Sequence, residues 1–525
     1  MQKRLLNNTK TEIPKHLSSM TMISTLTISY TMNTTMLKQT VLIFTILISI
    51  NIYTKASINS KRKPNIIFFL TDDQRWDAFG FMGNKYIQTP NCDQLANNGI
   101  IFNNTYHVVP ICQPSRASFM LSQYVGTHQC GFDKPAIYSI SEAEFAQSYP
   151  VKIREAGYFT GIVGKFGFPI TKEKVRNSAE YTNAQDRDAK TQLWLKEECL
   201  PKEEYDVWYG FSGQGFYNVK GKHGTEYRGD QSIAFIREAA KQEKPFSLQV
   251  CFKAPHSPFQ PAEEFLRLYD DVEIPRYPND TNSANSLLPV VVRNKYRGNH
   301  GYSDKKYQAF IKKYYALITG VDHVVGRVMT ELKAQGLDDN TIIVFTSDNG
   351  YFCGSKGLSG KDLLYEESAK APLIIYDPRL PIKKRGTTID AIISIIDVAP
   401  TLLNYAETDI PAEMQGKSLL PLIENPDQEI HEAVYGENNF ANFAPLLTEL
   451  DEREKASYST VRSRFVRTPQ YKYIQYHECT PMVEELWDIT ADPSELKNLA
   501  DKVEYKHQLN KMRQLMDTFI HKNVK

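Results

Sequence analysis

Two runs far apart in the chain share one design. NIIFFLTDD (residues 65–73) and TIIVFTSDNG (residues 341–350) each place an unbroken apolar core ahead of small hydroxyl residues and then carboxylates. An apolar run this short, with no polar alternation, suits a strand buried on both faces, as in a parallel sheet covered by helices. Its polar end then emerges at the C-terminal edge of the sheet, where open α/β sheets place ligands. The chain is therefore expected to build an α/β doubly wound sheet, with Asp72, Asp73, Asp348 and Asn349 on one edge.

The sequence between and after these runs keeps the pattern. VKIREAGYFTGIVGKFGF (151–168) reads as helix, turn and strand ending on Gly164-Lys165, and PFSLQVCFKAPHSPFQP (245–261) as a strand running into Pro255-His256-Ser257-Pro258. KKYYALITGVDHVVGRVMTELKAQG (312–336) has apolar residues at helical spacing and stops on Gly336, a long amphipathic helix with its cap. Four strand ends thus carry side chains able to do chemistry. Taken singly, Asp and Asn are ordinary turn residues and Lys is ordinarily solvated; their common position argues for a site. Oxygen donors of this kind suit a hard divalent cation, and no Cys/His group has zinc spacing.

GLSGKDLLYEESAKAPLIIYDP (357–378) puts Lys361 in a glycine-rich turn before a short helix and a further strand, and SIIDVAPTLLNYAE (394–407) starts a helix near Asp397 and Pro400. Beyond about residue 406, alternating strands and a terminal helix imply a smaller α+β domain. Residues 278–306 form a polar, Gly/Asn-rich insertion suited to a cleft border, and with the loop over 437–460 they are expected to set what the chain binds.

The 62 basic and 61 acidic residues nearly cancel, so no global basic field exists to bind nucleic acid. Residues 36–56 carry Lys38, an apolar run from Val41 to Ile50 and a small-residue cleavage pattern at Thr54-Lys55-Ala56. This is the form of a secretory signal peptide, and the run falls short of the roughly 20 residues a stable membrane span needs. Residues 1–35 read as a non-structural extension. The expected product is a secreted or periplasmic protein, with a main domain over 64–405 and a C-terminal subdomain over 406–525. Export permits disulfides, but seven cysteines cannot all pair. Cys112 is the candidate for the unpaired one; the alternative is that most are free buried thiols.

VVPICQPSRASFML (108–121) is ambiguous by itself, since a cysteine four residues before an arginine can be an activated thiolate, a disulfide partner or a buried residue beside a charge. The ordered set PNIIFFLTDDQR, CQPSR, GYFTGIVGK, APHSP, GVDHVVGRV, TSDNG, GKDLLYEES, DVAPTLL and ELWDITADPSELKNLA resembles the formylglycine-dependent sulfatases of the alkaline phosphatase superfamily over residues 64–500. The resemblance implies an alkaline-phosphatase-like fold, a large, mostly parallel sheet between helices with a smaller C-terminal α+β subdomain containing an antiparallel sheet. It further implies that Cys112 is oxidised to formylglycine by a formylglycine-generating or anaerobic sulfatase-maturating enzyme. Asp72, Asp73, Asp348, Asn349 and modified Cys112 would bind Ca²⁺. Arg116 would hold the nucleophile and the metal-site charges, Lys165 and Lys361 would clamp sulfate, and His256 would protonate the leaving alcohol. The expected substrate is a sulfated polysaccharide or oligosaccharide, of algal or host origin.

Three motifs depart from the family pattern. Its usual L-T-G reads Met120-Leu121-Ser122, G-K-W-H reads Gly164-Lys165-Phe166-Gly167, and G-E-H-G reads Gly354-Ser355-Lys356-Gly357. Lys356 is read as a substrate-facing cation against an ordinary solvated loop lysine. His128 is read as a stand-in for the missing imidazole against an ordinary loop histidine. Two other functions use the same motifs: a formylglycine-dependent phosphonate monoester or phosphodiester hydrolase, and a sulfated-glycan binder without turnover.

Overall fold

The computed structural model of the protein describes residues 62–131, 139–184, 187–292, 303–438 and 462–523. The expected extension and signal peptide (1–35 and 36–56) lie outside the described residues, as do residues 293–302 and 439–460 of the two expected cleft-bordering loops. Among the described residues no helix is long and apolar enough to cross a membrane.

A nine-stranded sheet runs through the molecule. Its strands are β1 (Asn65–Asp72), β2 (Ile100–Tyr106), β3 (Phe159–Lys165), β4 (Val207–Phe211), β5 (Phe246–Pro255), β6 (Thr341–Ser347), β7 (Lys370–Ala371), β8 (Leu373–Tyr376) and β9 (Thr387–Ser394). The order across the sheet is β9–β2–β8–β6–β1–β5–β3–β4, and β7 pairs with the end of β2. The five strands β6, β1, β5, β3 and β4 are mutually parallel, whereas β8 runs antiparallel to both of its neighbours. The expected doubly wound, mostly parallel sheet is present.

The unbroken apolar run of β1 has a packing reason. Alternate residues of a strand point to opposite faces. Ile66, Phe68 and Leu70 face one core, which contains Phe119, Met120, Val398 and Leu402; Ile67 and Phe69 face another, with Phe235, Leu317, Val321 and Val324. The first core is covered in part by α2 (Cys112–Leu121) and α3 (Tyr149–Glu155), whereas α1 (Pro90–Asn98) packs Cys92, Leu95 and Ala96 into the second. The Phe119 ring of α2 stacks on Phe68 of β1 at 4.3 Å between centroids, which fixes α2 against the central strand. The second core lies under α5 (Gly224–Ala239) and the 31-residue α6 (Asp304–Ala334); α4 is Arg187–Lys196. Gly336 follows the last turn of α6 in the left-handed region, as its sequence position implies.

After α7 (Glu366–Ala369) and α8 (Val398–Tyr405), a four-stranded antiparallel sheet forms from β10 (Val434–Asn438), β11 (Ser463–Arg467), β12 (Tyr471–Tyr476) and β13 (Val483–Asp488), followed by α9 (Lys506–Asn523). This sheet shares an apolar core with the loop before α7: Phe352, Leu363 and Tyr365 pack with Phe465, Ile474 and Trp487. The seven cysteines are all buried and none forms a disulfide, so the structure has the thiol arrangement rather than disulfides.

Charge is also buried between the two sheets. Lys472 lies 2.8 Å from Glu495 and 3.1 Å from Glu366, while Glu485 accepts hydrogen bonds from Tyr365 and Tyr476. Burial pushes Glu485 up to about 8, against 4.5 for a free glutamate. Between those values the folded chain holds a proton that the unfolded chain has lost, so stability falls as pH rises from about 4.5 to about 8 and the effect levels off above. Glu485→Gln, which keeps acceptor and shape, is expected to flatten that part of the pH dependence in urea unfolding. A slope identical to that of the parent would assign it to other groups.

Candidate functional site

The parallel register decides where the carboxylates go. Thr71 of β1 pairs with Ser347 of β6, so Asp72–Asp73 and Asp348–Asn349 leave the sheet side by side. On the other side of β1, Asp72 is level with Pro255 of β5, and Gly164 of β3 is level with Cys251, which brings His256 and Lys165 to the same edge. Cys112 starts α2, and Arg116 follows one turn later on the same face.

Asp72 is the hub. It is fully buried; Lys165 Nζ donates to its Oδ2 at 2.5 Å, the Cys112 thiol donates to its Oδ1 at 3.2 Å, and Arg116 Nη2 stands 3.7 Å away. Burial alone would raise this carboxyl, but Lys165, His256, Lys361 and Arg116 together hold it well below the usual carboxylate range. Arg116 also donates through Nε to Asp348 Oδ2 at 2.7 Å and through Nη1 to the Lys165 carbonyl at 2.6 Å. Lys361 Nζ donates to Asp73 Oδ1 and, at 2.5 Å, to Cys112 Sγ. Although burial opposes its charge, the surrounding carboxylates raise Lys361 well above the usual lysine range, and it stays an ammonium.

Asp73 adopts a left-handed φ of 71°. It accepts from Asn349 Nδ2 at 2.7 Å, and its own N–H donates to Asp348 Oδ1 at 3.3 Å. His256 Nε2 stands 3.8 Å from Asp73 Oδ2, while Nδ1 bonds the Ser257 carbonyl at 2.6 Å. Every member of the sequence-derived set Asp72, Asp73, Cys112, Arg116, Lys165, His256, Asp348, Asn349 and Lys361 thus meets at one sheet edge.

The donor set fits a hard cation. Ligand atoms of Asp72, Asp73, Cys112 and His256 lie within 4.8 Å of one another. Beside them, Asn349 Oδ1 is a buried acceptor with no hydrogen-bond partner. Asp348, next to Asn349, accepts from Arg116 through Oδ2 and from the Asp73 N–H through Oδ1.

The thiol's own state resolves the first ambiguity of the Cys112 run. Burial, with the Asp72 charge, pushes Cys112 up to about 12 despite both lysines, so it is a protonated thiol at neutral pH and not an activated thiolate.

Two residues from the sequence reading lie elsewhere. His128 is buried with Nε2 2.7 Å from Ser118 Oγ and Nδ1 accepting from the Cys130 N–H at 3.0 Å. Burial drops it to about 3, so it is a neutral ring that ties down α2 and does not replace the missing imidazole. Lys356 is neither solvated nor facing substrate. Its ammonium is fully buried, 3.0 Å from Glu367 Oε1, 3.6 Å from Glu495 Oε2 and 2.5 Å from the Ser494 carbonyl.

Two participants escaped the sequence reading. Gln214 Oε1 accepts from Lys165 Nζ at 2.7 Å. Lys253, near the end of β5, donates to the Ser257 carbonyl at 3.1 Å and faces the Tyr217 ring at 5.2 Å. Burial lowers its pKa, even with Asp72 and Asp73 nearby. Among the described residues Lys253 has no carboxylate in salt-bridge range, unlike Lys165 and Lys361. Its place in FKAPHSP, three residues before His256, was the available signal.

A buried, metal-compatible centre with three lysines and an arginine around one polar side chain defines a hydrolase of anionic esters. A model of the sulfatase family matches residues 64–408, and a model described as the C-terminal part of N-sulphoglucosamine sulphohydrolase matches residues 354–522. The chain belongs to the sulfatase family and is by class a sulfuric ester hydrolase. It is 27% identical to an arylsulfatase of Clostridium perfringens over 86% of this chain and 94% of that protein. It is 28% identical to an N-acetylglucosamine-6-O-sulfatase of Bacteroides thetaiotaomicron over 87% of this chain and 86% of that one. A structure solved with its substrate D-glucosamine-2-N,6-O-disulfate superposes with a TM-score of 0.68 at 26% identity, covering 88% of this chain and 98% of the other. The phosphonate monoester hydrolase of Agrobacterium radiobacter, at 21% identity and a TM-score of 0.66, over 88% of this chain and 96% of its own, shares the fold.

Lys356→Met leaves Glu367 and Glu495 buried without their counter-charge. Removing one partner of a buried pair costs about 3–5 kcal/mol, so a loss of that size is expected in urea unfolding. A raised KM at parental stability would restore the substrate-facing role.

Proposed function

We propose that the protein is an exported sulfatase that cleaves sulfate esters of sulfated saccharides, using formylglycine formed at Cys112 and Ca²⁺ held by Asp72, Asp73, Asp348 and Asn349. The observation that carries the reading is the state of Cys112. It is buried between Asp72 and Lys361 with its thiol pushed up to about 12, so the thiol itself is a poor nucleophile, whereas a group derived from it would face Lys165 and Lys361. Converted to formylglycine by a maturation enzyme, this position supplies a hydrated aldehyde whose hydroxyl attacks sulfur. The Ca²⁺, when bound, adds positive charge against the sulfate oxygens. Relatives named as an N-acetylglucosamine-6-O-sulfatase and an ulvan-active sulfatase support a saccharide substrate. The leader over 36–56 supports export.

The chain's own groups divide the remaining work. A sulfate ester repels nucleophiles through its charged oxygens, so the site must present cations to them before attack. Lys165 lines the cavity that opens on Cys112, Lys361 bonds the Cys112 sulfur, and both serve this end. Arg116, fully buried, bonds Asp348 and stands beside Asp72, holding both in place. His256 gives its Nδ1–H to the Ser257 carbonyl, so Nε2 is the position that takes up and delivers the proton needed by the leaving alcohol. Lys253, on the same turn and without a carboxylate partner, is placed to meet the ester from the His256 side.

The decisive experiment measures sulfate and phosphate release by ion chromatography from sulfated saccharides and phosphate diesters, using chain co-expressed with a maturation enzyme. Sulfate release that disappears in Cys112→Ala is expected. Phosphate release alone would make the protein a phosphonate or phosphodiester hydrolase, and silence with Cys112 shown converted by mass spectrometry would favour a glycan binder.

Lys253→Met is expected to lower kcat/KM on the same ester by about 10- to 100-fold, and Lys253→Arg to recover part of it; one substrate-contacting charge accounts for about 1.4–2.7 kcal/mol of that kind. Equal kinetics in Lys253→Met and the parent would make it a bystander.

A further inference from the structure

A cavity of about 350 Å³ opens on Cys112 and Lys165. That is near the lower end of ligand pockets, roughly 300–1,000 Å³, and leaves room for one ring with its substituents. Its lining combines apolar and hydrogen-bonding groups. Phe168, Trp194 and Leu195 contribute apolar surface, and Leu195 is 51% exposed, a large aliphatic side chain left in water beside the nucleophile position. The donors are specific too. Trp194 is only 8% exposed, yet its Nε1–H has no partner. Gln214 spends its Oε1 on Lys165, which turns its amide N–H groups to other acceptors. A purely aromatic ligand would cover the apolar surface but leave these donors unmet. A sugar ring offers both a C–H face and hydroxyl oxygens.

The charges restrict the ring further. Among the described residues, Lys165 is the one cation lining this cavity, and its ammonium is taken up by Asp72 and Gln214. Glu198 adds a carboxylate, paired with Lys202 at 2.7 Å. A second sulfate or a carboxylate on the bound ring would enter an apolar-walled space with no free counter-charge and a carboxylate beside it, which is unfavourable. We propose that this cavity holds the alcohol half of the ester as an uncharged, singly sulfated sugar and rejects rings bearing a second anionic group. The assignment rests on Cys112 being the site of attack.

Binding to the full-length Cys112→Ala chain, which cannot turn over, tests it by calorimetry. The probes are N-acetylglucosamine-6-sulfate and D-glucosamine-2-N,6-O-disulfate. The singly sulfated sugar is expected to bind about 10-fold or more tightly than the disulfate, a difference of about 1.4 kcal/mol. Adding Trp194→Ala should weaken the singly sulfated sugar by about 10-fold while leaving inorganic sulfate unchanged. Leu195→Arg, at an exposed position that does not threaten folding, should reverse the preference. Equal or tighter binding of the disulfate, no binding of either sugar, or indifference to both substitutions would overturn the proposal. If the binding pattern holds while mature parent chain releases no sulfate, the cavity's preference for a singly sulfated ring stands as a binding property and the catalytic reading falls.

Discussion

Burying the Asp72 carboxylate at the end of the central strand is the condition on which the rest of this centre depends. An ionised carboxylate removed from water loses several kcal/mol of hydration unless charges and donors replace it. Here four replacements come from three separate parts of the chain: the Cys112 thiol and Arg116 from α2, Lys165 from β3, and Lys361 from the loop before α7. None of these cations is comfortable in a buried site without the carboxylate, and the carboxylate is not comfortable without them. The centre therefore assembles as a unit. Asp348 extends the same logic by one strand, since its burial is compensated by Arg116, which in turn is fixed by the Lys165 carbonyl.

The loop carrying Lys361 needs its own support, because a glycine-rich turn does not hold an ammonium in place unaided. Arg75, bonded to the Phe352 carbonyl and to Ser355 Oγ, secures its start. Lys356 secures its middle through Glu367 and the Ser494 carbonyl, and Glu495 receives the Glu366 N–H at its far end. Glu495 and Lys472 belong to the C-terminal part of the chain. That part is thus a wall of the site's support, and the large buried charge set between the sheets is the means by which it fixes Lys361.

What could be read in advance follows from which interactions are local. The strands of the main sheet announce themselves because a both-faces-buried strand must be apolar throughout, and the polar residues that follow must then surface together. Lys356 was misread because its partners Glu367 and Glu495 are brought to it by α7 and by the segment after β13, and no spacing in the sequence records that. His128 lies close to Cys112 along the chain, yet the α2 surface it meets is that of Ser118, two turns further on, and proximity in sequence misled. Lys253 and Gln214 look like solvated polar residues at element ends. Only the fold shows that β5 and the loop after β4 deliver them to the Asp72 centre. Ser122 is a milder case: it holds a left-handed φ of 54° where the family pattern has glycine, and the strain is offset by its hydroxyl donating to the Ile396 carbonyl at 2.7 Å and accepting from the Gly416 N–H.

The absent histidine of the G-K-W-H pattern has a physical counterpart. Gly167 stands where that imidazole would be, with φ at 102°, and a Cβ there would meet Arg116 Cδ at 2.4 Å. The backbone has closed onto the Arg116 side chain, an approach that only glycine permits. Gly167 is at the same time part of the lining of the cavity beside Cys112, next to Phe168. A side chain at this position would occupy that space and press on the arginine that keeps Asp72 and Asp348 in order. The lost imidazole and the small apolar cavity are one feature seen from two sides: the chain gives up a polar group at the centre, and the volume released is lined instead by Phe168, Trp194 and Leu195.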